Sequence, residues 1–450
     1  MAAIQTPHVI YTVTPVEKLC SLVLTSLHSE IRPILDRSKC VSSTATVLAA
    51  DRFRRIGFPA LYTMQRNRHL YSLVIVPKPT KFYPDTEGVQ DQLAALPATA
   101  GVYLILVPGA PGHVSWSSNL RRRLGRLLAS SYTAKTSVLQ RMRENSSSIE
   151  YWPTGSKLES SLLLYQLGKQ FFPDDYLFRL HLRLPWFVAL MQESYPRVVT
   201  LSRASGKAQP ILGPFVDRDA AVRYAEAVSN LFQLRRCSEV LQPDPHHPGC
   251  IYGEMNQCLR PCQCAVSAAE YRSETTRVSE FLLSNGKSAI ASLSAARERA
   301  AEDMDFEAAG ALHKRIEKLA AAAGERPAIV GDISTFSGLA LTRGVERRMY
   351  RLWPMLNGCW QAPCDLDFTQ RDSQTKSLDS HVRELLARSF LTPRTDGNPV
   401  EELALFSRWY YSSYREGEWF PFRNLSDLNY RKLVRAISNL VRTDTHGFSV

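Results

Sequence analysis

What this chain lacks narrows it first. No apolar run reaches the roughly 18 residues that a membrane-spanning helix needs. Met1–Thr14 carries no positively charged leader with an apolar centre, so neither a membrane anchor nor export is expected and a cytoplasmic setting is. Acid is short as well: 43 Asp and Glu stand against 55 Lys and Arg, a net charge of +12. That deficit favours a polyanionic partner, because a positive field draws in nucleic acid without regard to its sequence. Lysine is scarce even among the cations, outnumbered roughly three to one by arginine, whose planar fork fits phosphate oxygens bidentately.

Cysteine is neither abundant nor evenly spread. Of the nine, Cys237, Cys250, Cys258, Cys262 and Cys264 fall within 28 residues. An odd total and the missing leader argue against a disulfide framework. The first four, separated by twelve, seven and three residues, suit one metal site. Thiolate count fixes the ligand class but not the metal, so zinc and an iron–sulfur cluster stand together, with isolated buried thiols as the plain alternative. Cys359 and Cys364 are expected to be buried singles.

At 450 residues the chain has room for about three domains. A helix is expected near Val16–Leu35 and a hairpin through Ala60–Val76. Gly101–Val107 reads as a buried strand, Pro108–Gly112 as its turn and His113–Trp116 as the returning strand. A helix follows, capped by Ser117 or Ser118, with Leu120, Leu124 and Leu127 inward and Arg121, Arg122, Arg123 and Arg126 over its surface. Ser156-Lys157-Leu158-Glu159 is a capping box opening a helix to Phe171 before Pro173.

Another box at Ser267-Ala268-Ala269-Glu270 opens a helix that Asn285-Gly286 breaks. Two more helices follow, one with Ile290, Leu293, Ala296 and Ala300 on one side, the next with Phe306, Ala309, Leu312, Ile316 and Leu319 at helical spacing. Beyond them a hairpin is expected from Gly338–Thr342 and Arg348–Trp353, a turn at Asn357-Gly358, and helices near Leu378–Ser389, Val400–Tyr414 and Leu425–Val441. The aromatic run Trp409-Tyr410-Tyr411, Tyr414, Trp419, Phe420 and Phe422 could stack bases, but the neighbouring Leu403, Leu405 and Phe406 favour core packing.

The strand–turn–strand–helix–helix order resembles the GIY-YIG nuclease module of the UvrC family. Phe172-Pro173-Asp174-Asp175-Tyr176, Tyr195-Pro196-Arg197-Val198 and Leu212-Gly213-Pro214-Phe215 resemble successive signatures of that family, and Met304–Ala309 resembles its UVR motif. The resemblance spans roughly Ala98–Leu319. It implies a 4Fe–4S cluster on Cys237, Cys250, Cys258 and Cys262, with zinc as the alternative. It also implies DNA as a partner and a UvrB-like protein docked through Phe306, Ala309, Leu312 and Ile316.

The same resemblance exposes departures. Tyr103 and Arg123 match the first tyrosine and the arginine of an active module, but His113 stands at the second tyrosine, Ser115 at its glycine and Trp116 at a lysine. The metal-binding glutamate position falls on Leu164. Leucine offers no oxygen to a divalent cation, so bound catalytic magnesium is not expected. Histidine can serve as a general base, which keeps His113 arguable. Glu159 lies five residues earlier, about 140° around the helix, and reads as a cap.

Taken together these readings give an α+β, multi-domain fold. Residues 1–95 form an amino-terminal α+β region and 96–175 a degenerate GIY-YIG-like module of small mixed α/β type. Residues 176–266 are a linker with the cysteine metal site, 267–323 a helical region with the UVR hairpin and 324–450 a carboxyl-terminal α+β region. The ribonuclease-H-like and helix-hairpin-helix domains of the family are expected to be missing. The expected function is non-catalytic DNA binding and partner docking in nucleotide excision repair. Its rivals are a single-incision endonuclease and an adaptor that never touches DNA. Arg121, Arg122, Arg123 and Arg126 are the candidate DNA contacts.

Overall fold

The computed structural model describes residues 77–83, 89–107, 110–128, 148–203, 206–369, 377–391, 393–394 and 396–446. The helix near Val16–Leu35 and the hairpin through Ala60–Val76 lie outside them. Three antiparallel sheets organise these residues into a mixed α+β architecture. Among them no helix is long and apolar enough to cross a membrane.

The first sheet joins β1 (Thr80–Phe82), β4 (Ser148–Pro153), β2 (Gly101–Val107) and β3 (Ala110–Ser117) in that spatial order. Strand alternation gives β2 two different faces. Tyr103 and Ile105 pack with Leu120, Leu124 and Leu127 of α2 (Leu120–Leu128) and with Leu93 of α1 (Val89–Ala95). Val102 and Leu104 pack with Leu163 and Leu167 of α3 (Lys157–Phe171). Each fully buried leucine here contributes roughly 1.5–3 kcal/mol. The cap of α2 is Asn119, whose Oδ1 accepts the Arg122 N–H at 2.8 Å, while Ser117 Oγ accepts the N–H of Asn119 itself. The helix therefore begins one residue beyond the serines that the sequence offered.

After a short α4 (Tyr176–Arg179), the second sheet runs β6 (Val198–Leu201), β5 (Trp186–Met191), β7 (Ala208–Phe215), β8 (Gly331–Asp332). The Tyr195–Val198 signature meets this sheet only at its last residue. Gly213 lets the Phe187 ring approach: a Cβ there would stand 2.4 Å from the ring. Against this sheet lie α5 (Arg218–Leu231) and α7 (Ala268–Ser284), the latter with both halves of its capping box formed and Asn285 in the left-handed region at its end. Between them the cysteine segment holds only α6 (Ile251–Glu254) and a 3-10 turn at Pro261–Gln263.

Helices α8 (Lys287–Glu302) and α9 (Phe306–Gly324) form the expected hairpin. Leu319 and Ala322 enter the core beside α5.

The third sheet contains β9 (Gly338–Arg343), β10 (Met349–Leu356), β11 (Cys359–Trp360), β12 (Cys364–Asp367) and β13 (Glu418–Pro421). One face packs on α10 (Leu378–Ser389) and α12 (Tyr430–His446). The other meets α11 (Pro399–Tyr410) and the outer face of α3: Leu158, Leu162 and Tyr165 share a core with Phe187, Trp353, Trp360 and Phe406. Gly155 marks how close this seam is, since a Cβ there would lie 2.1 Å from the Gly344 carbonyl carbon. Two helices differ from expectation. α11 stops at Tyr410, and a 3-10 turn at Leu425–Asp427 precedes α12, which starts at Tyr430. The aromatic run is largely core: Trp409, Trp419, Phe420 and Phe422 are buried, and only Tyr414 is strongly exposed.

Candidate functional site

Three of the four residues singled out in the nuclease-like module share one face of the first sheet. Tyr103 is fully buried. Arg123 reaches back from α2 and its Nε donates to the Tyr103 hydroxyl at 3.1 Å. His113 pairs with Ile105 across the β2–β3 ladder, and its ring centroid lies 6.3 Å from that of Tyr103. Leu164 does not join them. It sits half-buried with Val114 and the Val102–Leu104 face, across the sheet from Tyr103.

Electrostatics define what the cluster can do. Burial lowers the His113 pKa from its ordinary value, and the guanidiniums of Arg123 and Arg179 lower it further. Arg179 comes from α4, is paired with Asp175 at 2.7 Å, and was not foreseen. An i,i+4 pair that closes a single helical turn gives no sequence signal that Arg179 acts on a strand some 66 positions earlier. The charges acting on the imidazole are cationic, which suits an anion such as a phosphate oxygen.

Glu159 is not a simple cap. Ser156 Oγ does accept the Glu159 N–H at 3.1 Å, but the Glu159 carboxylate turns to the Gly155 N–H at 2.8 Å and to Arg351. Arg351 also grips Asp365 of β12, with Nη2 3.0 Å from Oδ2. Burial raises the Glu159 pKa against the opposing pull of Arg351. This carboxylate belongs to the seam with the third sheet, where Tyr165 and Tyr176 also donate their hydroxyls to Glu401 at 2.6 and 2.8 Å. None of these long-range partners is visible in one-dimensional spacing.

The arginine face of α2 divides. Arg122 and Arg126 are exposed, Arg121 is exposed but its Nε donates to the Leu96 carbonyl at 2.6 Å, and Arg123 points inward.

Cys258 and Cys262 are buried, Cys237 is half-buried, and Cys250 and Cys264 are exposed. Burial raises the Cys258 pKa, and Cys250, Cys237 and Cys262 each add to it; burial, Cys250 and Cys237 do the same at Cys262. The four candidate ligands thus lie in one another's field. Two donors face sulfur: the Arg260 N–H stands 3.4 Å from Cys258 Sγ and Arg235 Nη1 3.6 Å from Cys237 Sγ. N–H groups aimed at sulfur would suit thiolates at these two positions. No three His, Cys, Asp or Glu side chains among the described residues stand at chelating separation. Arg235 anchors the segment, with its side chain 2% exposed and bonds to Glu193 and to the Tyr195 and Glu239 carbonyls. Cys359 and Cys364 are buried singles as expected, and burial followed by Glu402 pushes the Cys359 thiol up to about 12.

On the helical hairpin Phe306 is 73% exposed, beside an exposed Met304, while Ala309, Leu312 and Ile316 are half-buried. The stripe is open at its tip and anchored at its base.

Residues 184–281 match the family described as UvrC/Cho excinuclease, middle domain. The UvrABC system protein C of Ruminiclostridium cellulolyticum is 28% identical over 235 residues, 51% of this chain and 38% of the relative. That of Desulfitobacterium hafniense is 27% identical over 248 residues, 54% and 39% respectively. That of Acetivibrio thermocellus is 28% identical over 235 residues, 51% and 37%. The matches therefore span less than two fifths of these relatives' length. No solved structure matches.

Proposed function

We propose that this chain, similar over about half its length to UvrABC system protein C of several bacteria, is a UvrC-family protein that holds DNA and a repair partner in nucleotide excision repair without cutting the strand. One observation carries the reading. Tyr103, His113 and Arg123 converge in a cationic setting, whereas Leu164 packs among aliphatic side chains on the opposite face. Such a cluster can accept a phosphate, but it has no carboxylate at the family's metal position to hold magnesium against it. Arg122 and Arg126 extend the positive surface outward along α2.

In this reading Cys237, Cys250, Cys258 and Cys262 hold a 4Fe–4S cluster, with zinc as the alternative. The bound group supplies a cross-link among loops that otherwise contain only one short helix and one 3-10 turn. Phe306, Ala309, Leu312 and Ile316 dock a UvrB-like protein, Phe306 being the exposed anchor.

DNA binding measured across a salt series tests the proposal. Affinity is expected to fall steeply between about 50 and 200 mM salt, with Arg122→Ala and Arg126→Ala each lowering the slope by about 1. Affinity indifferent to salt would remove DNA from the account. Visible absorption of anaerobically purified protein separates an iron–sulfur cluster, which is coloured, from zinc, which is not.

A further inference from the structure

Beneath the seam between the nuclease-like module and the third sheet lies a cavity of about 80 Å³. At the ~10–15 Å³ that one water requires, it has room for roughly five to eight. Its deep walls are Trp152, Leu162, Leu163 and Trp353, all 5% exposed or less. The Glu159–Arg351 pair closes one side, and Pro77 and Lys78, both exposed, form the rim. Trp152 Nε1 donates to the Pro77 carbonyl at 2.6 Å, fixing that rim to the wall.

Gln166 also lines this space. It is 8% exposed, and its Nε2 is buried with no hydrogen-bond partner. A buried amide left unpaired is costly, so a water or a ligand atom that accepts from it inside this space would be favoured. The walls ask for a flat, largely apolar body, the amide for an acceptor on that body, and Lys78 at the rim for a negative charge where the body enters. Room for roughly five to eight waters limits the body to that many non-hydrogen atoms, the size of a single small ring such as a pyrimidine base.

We infer that this cavity receives a single unstacked nucleobase, with an acceptor atom on Gln166 Nε2 and the adjoining phosphate at Lys78. The inference deepens the DNA-holding reading and rests on it for the source of the base. Extruding a base costs least where the duplex is damaged or already single-stranded. A pocket for one extruded base, set apart from the Tyr103–His113–Arg123 face, would let the protein distinguish distorted from regular DNA. A free mononucleotide offers the same chemistry.

The test compares the full chain with Gln166→Leu and Lys78→Ala, using a short oligothymidylate, the same strand with abasic positions, and thymidine monophosphate as separate probes. Wild type is expected to bind the base-bearing strand about tenfold tighter than the abasic one. Gln166→Leu should erase that difference while leaving abasic-strand binding unchanged, and Lys78→Ala should weaken both strands. Gln166→Leu should also raise Tm by a few degrees, because it removes an unpaired buried amide. A difference between the strands that survives Gln166→Leu overturns the inference, as does equal binding of both strands by wild type. If no strand binds, the DNA reading fails by itself; Gln166-dependent binding of thymidine monophosphate then upholds the cavity with a free nucleotide as its ligand, and no binding of it leaves a site for water only and overturns the inference too.

Discussion

The nuclease-like module and the cysteine-bearing middle segment each rest on a four-stranded antiparallel sheet, but their arginines are placed differently. In the middle segment Arg235 is matched: Glu193 neutralises it, and the Tyr195, Cys237 and Glu239 carbonyls accept from it. In the module Arg123 is half-buried against the Tyr103 hydroxyl and Arg179 is exposed and paired with Asp175; burial lowers the His113 pKa and both guanidiniums lower it further. A buried, fully bonded cation is scaffold. Part-exposed guanidiniums beside a histidine make a setting that an incoming anion improves, and this contrast separates what holds the protein together from what an anion can reach.

The strongest challenge to that contrast is Arg235→Ala. Removing a buried cation with four kinds of partner is expected to cost about 3–5 kcal/mol, read as a large fall in Tm and faster thiol labelling at Cys237 and Cys258. Unchanged stability would deny Arg235 its structural role. Next comes Leu124→Ala in α2, which empties space beneath Tyr103 and should cost about 2–5 kcal/mol, seen as an earlier denaturant midpoint.

The third prediction concerns pH. His113 has a folded pKa below its unfolded value of 6.5, so the unfolded chain binds more protons between the two. Stability should therefore rise with pH across that window and be complete above 6.5. DNA affinity should change the opposite way, tightening as pH falls and the imidazole charges beside phosphate. His113→Gln should flatten both profiles, and a DNA profile that it leaves unaltered would take His113 out of the interface. The smallest effect is expected from Phe306→Ala: within about 0.5 kcal/mol in stability, because the ring is 73% exposed, while binding of a UvrB-like protein in a pull-down falls sharply. A stability loss with partner binding intact would reverse the assignment.

Local chemistry was the legible part of this fold. Ser267 and Glu270 predict their helix start because both halves of the box lie within four residues, and Asn285-Gly286 predicts its end because those residues tolerate the left-handed backbone seen there. Leucine spacing likewise gave the inward face of α2. Distance in sequence was the barrier elsewhere. Glu159 looks like a complete capping box until Arg351, 192 residues away, claims its carboxylate. Tyr165 and Glu401, 236 residues apart, meet for the same reason, namely that the third sheet packs on α3. The candidate nuclease face was legible through Tyr103, His113 and Arg123, but Arg179 and the unpaired Gln166 emerge only from packing.

Incubating supercoiled plasmid with the purified chain and magnesium or manganese tests the central claim most directly. The account predicts that the DNA is bound yet stays supercoiled. Accumulation of nicked circles, abolished by His113→Ala or Arg123→Ala, would contradict it.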